Sequence, residues 1–395
     1  MLTNWKSMGA AIDRILQPKS QIRSVEFALP KQIFGTMDLN GRPLKTVSAS
    51  FFDINNRIAD ALRETRVSEF KHVPVEHQAT LPNGDKVRII KEFYTGDYFH
   101  EVTTMLQQEH GTHARALCFA LGTDETTFNT TRTRSGSPLY LHILNAVGKS
   151  FRPILIGYLP STHGLPYSDD ILHKMLIRQG MSKITHRDYI ITFLKRRMDL
   201  QYIEYVLRDL FELEATGFCA RVGKKEHGDG PSEIMWFFPM ISLFLGDTLQ
   251  LDMLMGTNTR RKRRCRICRS DKCWKFYTHA DSIDFRDHAA SEELVRIAGA
   301  AKLAQILWPQ LYGSTYKLSD REKEMLNQVH DECLTPGLNP LFQLPRWQYR
   351  RGLNTLSKML PPDTLHTLLK GLLEHVVGWS LQIINQVSRM DNQFQ

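Results

Sequence analysis

The chain has 395 residues and a net charge of +9, with 42% hydrophobic and 24% charged side chains. That length buries a large core and suits two or three domains, and the composition is that of an ordinary globular protein. No apolar run reaches the ~18 residues of a membrane span, which excludes a spanning helix, and the basic balance favours an anionic partner, nucleic acid first.

The N-terminal "MLTNWKSMGAAIDRILQ" lacks the apolar core of a secretory signal. Six cysteines, three of them crowded at Cys265, Cys268 and Cys273, do not read as a disulfide framework and point to a reducing compartment. Residues 1 to about 50 carry no clear period. Residues 51 to about 70 read as an amphipathic helix, and Pro-Asn-Gly-Asp between two alternating runs is a hairpin signal. "DYFHEVTTMLQQEHGTHA" reads as a further helix closed by Gly111. Residues 1–112 are taken together as an accessory N-terminal region.

From residue 114 the pattern changes. Three strand-like runs, 115–122, 138–147 and 152–160, are joined by short connections containing Gly136 and Gly148, which predicts an antiparallel meander. "ILHKMLIRQG" and the long stretch from Asp188 to Phe218 then show helical spacing, and "GKKEHGDGPS" reads as a loop before a fourth strand, "IMWFFPMISLFLGDTLQ". Three strands, a helix and a strand are the opening order of a ribonuclease-H-like α/β fold, a mixed sheet flanked by helices. Residues 113–255 are assigned to the first part of that core and 256–290 to a basic, cysteine-containing insertion. Residues 291–395 form a helical C-terminal part that begins with "ASEELVRIAGAAKLAQILW" and ends in a long helix or helix pair after Pro361 and Pro362.

Two aspartates close strand-like runs. Asp124 follows "ALCFALGT" and Asp247 follows "MISLFLG". An Asp after a strand is often a turn former or a helix cap. On the first and fourth strands of such a sheet, however, the pair can hold Mg2+ or Mn2+ through oxygen ligands for phosphoryl transfer. Cys265-x2-Cys268, with Cys273 and His279, reads either as a zinc site or as a loop with free thiols. Arg260, Arg261, Lys262, Arg263 and Arg264 form a cationic run suited to DNA phosphates or to nuclear localisation, or else a solvated loop. Trp274, Phe276 and Tyr277 follow and can stack on splayed bases or fill a small lobe. Asp363-x2-His366 shares a helix face, with Glu374 farther along.

Taken in order, "TDETTF", "PLYLHILNAV", "LIGYLP", "FPMISLFLGDTLQ", "RCRIC" and "PDTLHTLLKGLLEH" resemble the transposases of Plavaka-type elements, in the CACTA-like group of cut-and-paste DNA transposons. The likeness runs from about residue 114 to about 380. It implies that Asp124 and Asp247 are the first two metal-binding catalytic acids, that Cys265 and Cys268 form the knuckle, and that Asp363 with His366 precedes the last catalytic segment. It further implies DNA strand cleavage and transfer at transposon ends, a homo-oligomer and a nuclear location. The family also implies a third acid, usually Glu, on a helix beyond the Asp-x2-His motif. The sequence given stops at Gln395, so a truncated copy is expected, one that binds DNA without cutting it if no other acid substitutes. The alternatives are a non-catalytic, domesticated DNA-binding protein and a metal-dependent nuclease unrelated to transposons.

Overall fold

The computed structural model describes residues 22–123, 126–127, 135–148, 152–160, 165–223, 233–246, 288–331 and 334. Its centre is a seven-stranded mixed sheet with helices on both faces. In chain order the main strands are β1 (Ile22–Ala28), β2 (Thr46–Phe52), β5 (Ala114–Thr123), β8 (Pro138–Ile143), β9 (Pro153–Tyr158), β10 (Phe218–Val222) and β11 (Glu233–Leu245). Across the sheet they run β1-β2-β9-β8-β5-β11-β10. The β11–β5 pair is parallel and every other neighbouring pair is antiparallel. The expected meander is therefore present, with the fourth strand lying beside the first. The short strands β3 (His77–Thr80) and β4 (Lys86–Ile89) form the hairpin signalled by Pro-Asn-Gly-Asp, and β6 (Thr126–Thr127) pairs with β7 (Ser135–Gly136).

The helices are α1 (Lys31–Phe34), α2 (Ile54–Glu64), α3 (Asp97–His110), α4 (Asp169–Arg178), α5 (Ile184–Thr216), α6 (His288–Tyr312) and α7 (Asp320–Asp331). In α2 the Asp53 carboxylate accepts the Asn56 N–H at 3.0 Å, which satisfies one orphan donor of the first turn. Ile54, Ile58 and Leu62 then recur at four-residue spacing and are buried. Gly111 closes α3 at φ 92°, a backbone angle that favours glycine.

Strand β5 is buried on both faces, as its apolar run from Ala116 to Leu121 requires. Leu117, Phe119 and Leu121 pack with α2 and α5, whereas Ala114, Ala116, Cys118 and Ala120 pack with Phe99, Val102 and Leu106 of α3. Small residues on the second face let α3 approach the sheet closely. The 33 residues of α5 extend roughly 50 Å at 1.5 Å per residue. Its C-terminal half packs on the sheet. Its N-terminal half joins Phe34, α4 and Ile306 of α6 in a second apolar cluster. Helix α7 packs on α6 through Val329, Leu294, Val295 and Ala298.

Residues 22–52, inside the stretch read from the sequence as accessory, supply β1 and β2 to this same sheet. Their junction with the meander is narrow, a single β-pairing of Phe51 with Gly157. Tyr202 of α5 spans the gap: its hydroxyl donates to the Ser50 carbonyl at 2.8 Å and accepts from the Tyr158 N–H at 3.3 Å. A side chain thus stands in for missing ladder bonds. Arg23 adds a second tie, bridging Asp53 and Asp209 of α5 at 2.6 and 2.5 Å.

Candidate functional site at the ends of two parallel strands

Because β5 and β11 are parallel, their C-terminal ends lie at the same edge of the sheet. The last paired residues are Gly122 and Leu245, and Thr123 and Gly246 follow them. Asp124 and Asp247, the predicted acids, are the next residues of the sequence and lie outside the described residues. So do Cys265, Cys268, Cys273, His279, the run Arg260, Arg261, Lys262, Arg263 and Arg264, the aromatic residues 274–277, and Asp363, His366 and Glu374. What is described is therefore the frame of the site. Two parallel strands end side by side, and their last paired residues, Gly122 and Leu245, each stand two positions before an aspartate in the sequence.

The frame carries an irregularity. From Trp236 to Ile241 each β11 residue pairs with the β5 residue 122 positions earlier, as in Ile241 with Phe119. From Leu243 to Leu245 the offset is 123, as in Leu245 with Gly122. Ser242 is the extra residue, a β-bulge. Side chains change faces across it. Phe237 and Ile241 lie on the α5 face before it and Phe244 after it, while Phe238 and Met240 lie on the α3 face before it and Leu243 and Leu245 after it. Ser242 itself is 3% exposed, and its hydroxyl has no hydrogen-bond partner among the described residues. Burying a hydroxyl in that way costs about 1–3 kcal/mol.

Strand β8 contributes side chains that the sequence alone does not single out. Leu139, Leu141 and Ile143 enter the α5-side core, so Tyr140 and His142 lie on the opposite face by alternation. Tyr140 is the ladder partner of Gly122 and His142 that of Ala120. A Cβ placed on Gly122 would meet His142 Nε2 at 3.8 Å and Leu245 Cβ at 3.6 Å, which is ordinary contact. Glycine here leaves a shallow notch between β8 and β11. Burial holds the His142 imidazole below its ordinary pKa, so the ring is neutral near pH 7. Burial, then the neighbouring Tyr140, raises the Tyr158 phenol. A neutral imidazole and two phenols therefore flank the strand ends. Within a strand, the alternation that gives His142 its face becomes visible once the sheet is known.

In the sequence an aspartate follows each of these strands, and a carboxylate is a hard oxygen ligand of the kind Mg2+ and Mn2+ take. Among the described residues no group of three His, Cys, Asp or Glu side chains gathers into a metal site, and no helix is long and apolar enough to cross a membrane. A separate cavity of about 310 Å3 lies between β1 and α5, lined in part by Glu26, Phe27, Leu165, Arg197, Met198 and Tyr205. It borders the edge strand β1, with β2, β9 and β8 between it and β5.

Compared with known proteins, the chain matches no family model, no curated protein and no solved structure.

Proposed function

We propose that the chain is a transposase-like protein of a cut-and-paste DNA transposon, built on a ribonuclease-H-like core, with Asp124 and Asp247 as its paired metal-binding acids. The observation that carries the reading is the register of two described strands. At their C-terminal ends β5 and β11 are parallel neighbours offset by 123 residues, and Asp124 and Asp247 are separated by the same 123 positions in the sequence. The order of elements supports it as well: three antiparallel strands, the helices α4 and α5, then a strand returning beside the first. Strand β10 comes before β11 and runs antiparallel to it at the sheet edge, and β1 and β2 extend the other edge. Both are additions around that core.

In this reading the two carboxylates hold Mg2+ or Mn2+, and the ion when bound polarises a scissile phosphate and activates water or a DNA 3′-hydroxyl. The chain's own contribution is placement. The strands β5 and β11 are assigned to carry the chain to the two acids, His142 lies level with Ala120 on the neighbouring strand, and the cationic run Arg260–Arg264 is assigned to phosphate contacts. The knuckle residues Cys265, Cys268, Cys273 and His279 are assigned to zinc, and the partners are transposon-end DNA and a second copy of the chain.

The test is Mn2+-dependent nicking of duplex DNA by the full chain. If another acid substitutes for the expected third one and the chain cuts DNA, nicking is expected to fall at least a hundredfold in Asp124→Ala and in Asp247→Ala while DNA binding is retained. DNA binding without nicking in the unaltered chain supports the non-catalytic, domesticated alternative. Loss of neither activity in the two variants refutes the assignment of the acids.

A further inference from the structure

Strand β1 is one edge of the seven-stranded sheet, and among the described residues it pairs with β2 alone. The pairing runs from Ile22–Phe52 to Ala28–Thr46 without a slip. Seven residues with no bulge and no proline therefore leave a row of backbone N–H and C=O groups on the outer side with no ladder partner, a template for a further strand. Val25 enters the core with Val206 and Leu210 of α5, and Phe27 packs against it. By alternation Glu26 and Ala28 lie on the opposite face.

The cavity of about 310 Å3 lies where this edge strand meets α5. Leu29, Leu165, Leu194 and Met198, all buried, give it an apolar floor. Arg197, Gln201 and Tyr205 rim it, four residues apart on one face of α5. Arg197 is exposed, and among the described residues no ion pair or hydrogen bond involves its side chain. A strand edge on one wall and a helix on the other suit an extended peptide: the edge supplies main-chain hydrogen bonds and the cavity takes a side chain. In an added strand the next side chain on the same face is two positions along, about 7 Å away. Arg197 borders the same cavity, so that second side chain is the one its guanidinium can reach, and its charge calls for a carboxylate there. Glu26, on the other face of β1, does not oppose it.

We infer that the groove between β1 and α5 docks an extended peptide of a partner protein. The peptide joins the sheet beside β1, seats one bulky apolar side chain in the cavity and pairs a carboxylate two positions away with Arg197. This site stands apart from the chemistry proposed at the ends of β5 and β11, since β2, β9 and β8 separate β1 from β5.

The test is selection of random heptapeptides displayed on phage against the full chain. Enriched peptides are expected to share an apolar residue and an acidic residue two positions from it. One of them, synthesised with a fluorophore, gives the affinity by fluorescence polarisation. Arg197→Glu, at an exposed position, is expected to weaken binding about tenfold, and lysine in place of the peptide's acid to restore it. Gln201→Trp, which fills the cavity from its rim, is expected to weaken binding about tenfold with no rescue by that lysine. With peptide bound, hydrogen exchange read by mass spectrometry is expected to slow about tenfold at outward-facing amides of Ile22–Ala28. No enrichment over a Gln201→Trp control, an affinity indifferent to both variants, or unchanged exchange in β1 overturns the inference. Unchanged exchange with retained affinity is the result a peptide docked as a helix would give. Self-association in sedimentation velocity that Arg197→Glu abolishes would make a second copy of the chain the occupant, and overturns the assignment to a partner's peptide.

Discussion

The narrow junction between β2 and β9 offers a quantitative test of how the sheet is held together. Tyr202→Phe removes one hydroxyl that serves two backbone groups, the Ser50 carbonyl and the Tyr158 N–H. Each lost bond is worth about 1 kcal/mol net, which gives about 2 kcal/mol for the variant. Gly157→Ala attacks the same spot from the other side. Its Cβ would lie 2.0 Å from the Tyr202 hydroxyl, 3.2 Å from Cζ and 3.3 Å from the Phe51 Cβ. The hydroxyl must therefore be expelled. That loses the same two bonds and adds strain, for about 3 kcal/mol in all. With the hydroxyl already gone, the new methyl group occupies its space, and the remaining contacts need shifts of a few tenths of an ångström. The double variant is then expected to cost about 3 kcal/mol rather than the additive 5, a coupling of about 2 kcal/mol. Urea unfolding followed by far-ultraviolet circular dichroism on the four chains measures it. Additivity to within about 0.5 kcal/mol would show that the hydroxyl and Gly157 do not share that space, and would refute the account of the seam.

Asn145→Ala should cost about 3 kcal/mol by the same assay. The buried amide accepts from the Cys118 N–H and donates to the Lys71 and Ala116 carbonyls, and truncation strands all of them. Burial lowers the pKa of His72, His142 and His186. Below about pH 6.5 the unfolded chain therefore binds more protons than the folded one. Stability should be level above that pH and fall as the pH drops towards the depressed folded values. His142→Gln should shallow the slope, and a slope that steepens would contradict the sign. Gly122→Ala should be accepted with a change below about 0.5 kcal/mol, since its Cβ meets ordinary contacts. Gly217→Ala should cost several-fold more in thermal unfolding, because φ is 68° and the new Cβ would fall 2.4 Å from the Trp236 Nε1.

The meander and α5 were legible because apolar runs bounded by Gly and Pro, and a long helical period, leave few other readings. β1 and β2 were not. "IRSVEFA" is largely exposed and "TVSASFF" buries only Ala49 and Phe51, and a strand with few buried residues carries little hydrophobic signal. β10 is five residues long and follows directly on a helix, and α7 buries Val329 amid polar neighbours. The adjacency of β5 and β11, the strands that precede Asp124 and Asp247 in the sequence, could be anticipated from element order. The slip at Ser242 could not. β11 is apolar on both faces, so its sequence shows no alternation for a bulge to interrupt.

Helix α5 belongs to two apolar clusters at once, one beneath the sheet and one with α4 and α6. A rod shared in this way makes the clusters mutual guarantors. Loosening Ile190 or Leu194 at one end frays the support of Val206 and Leu210 at the other, and heat should melt both as one unit.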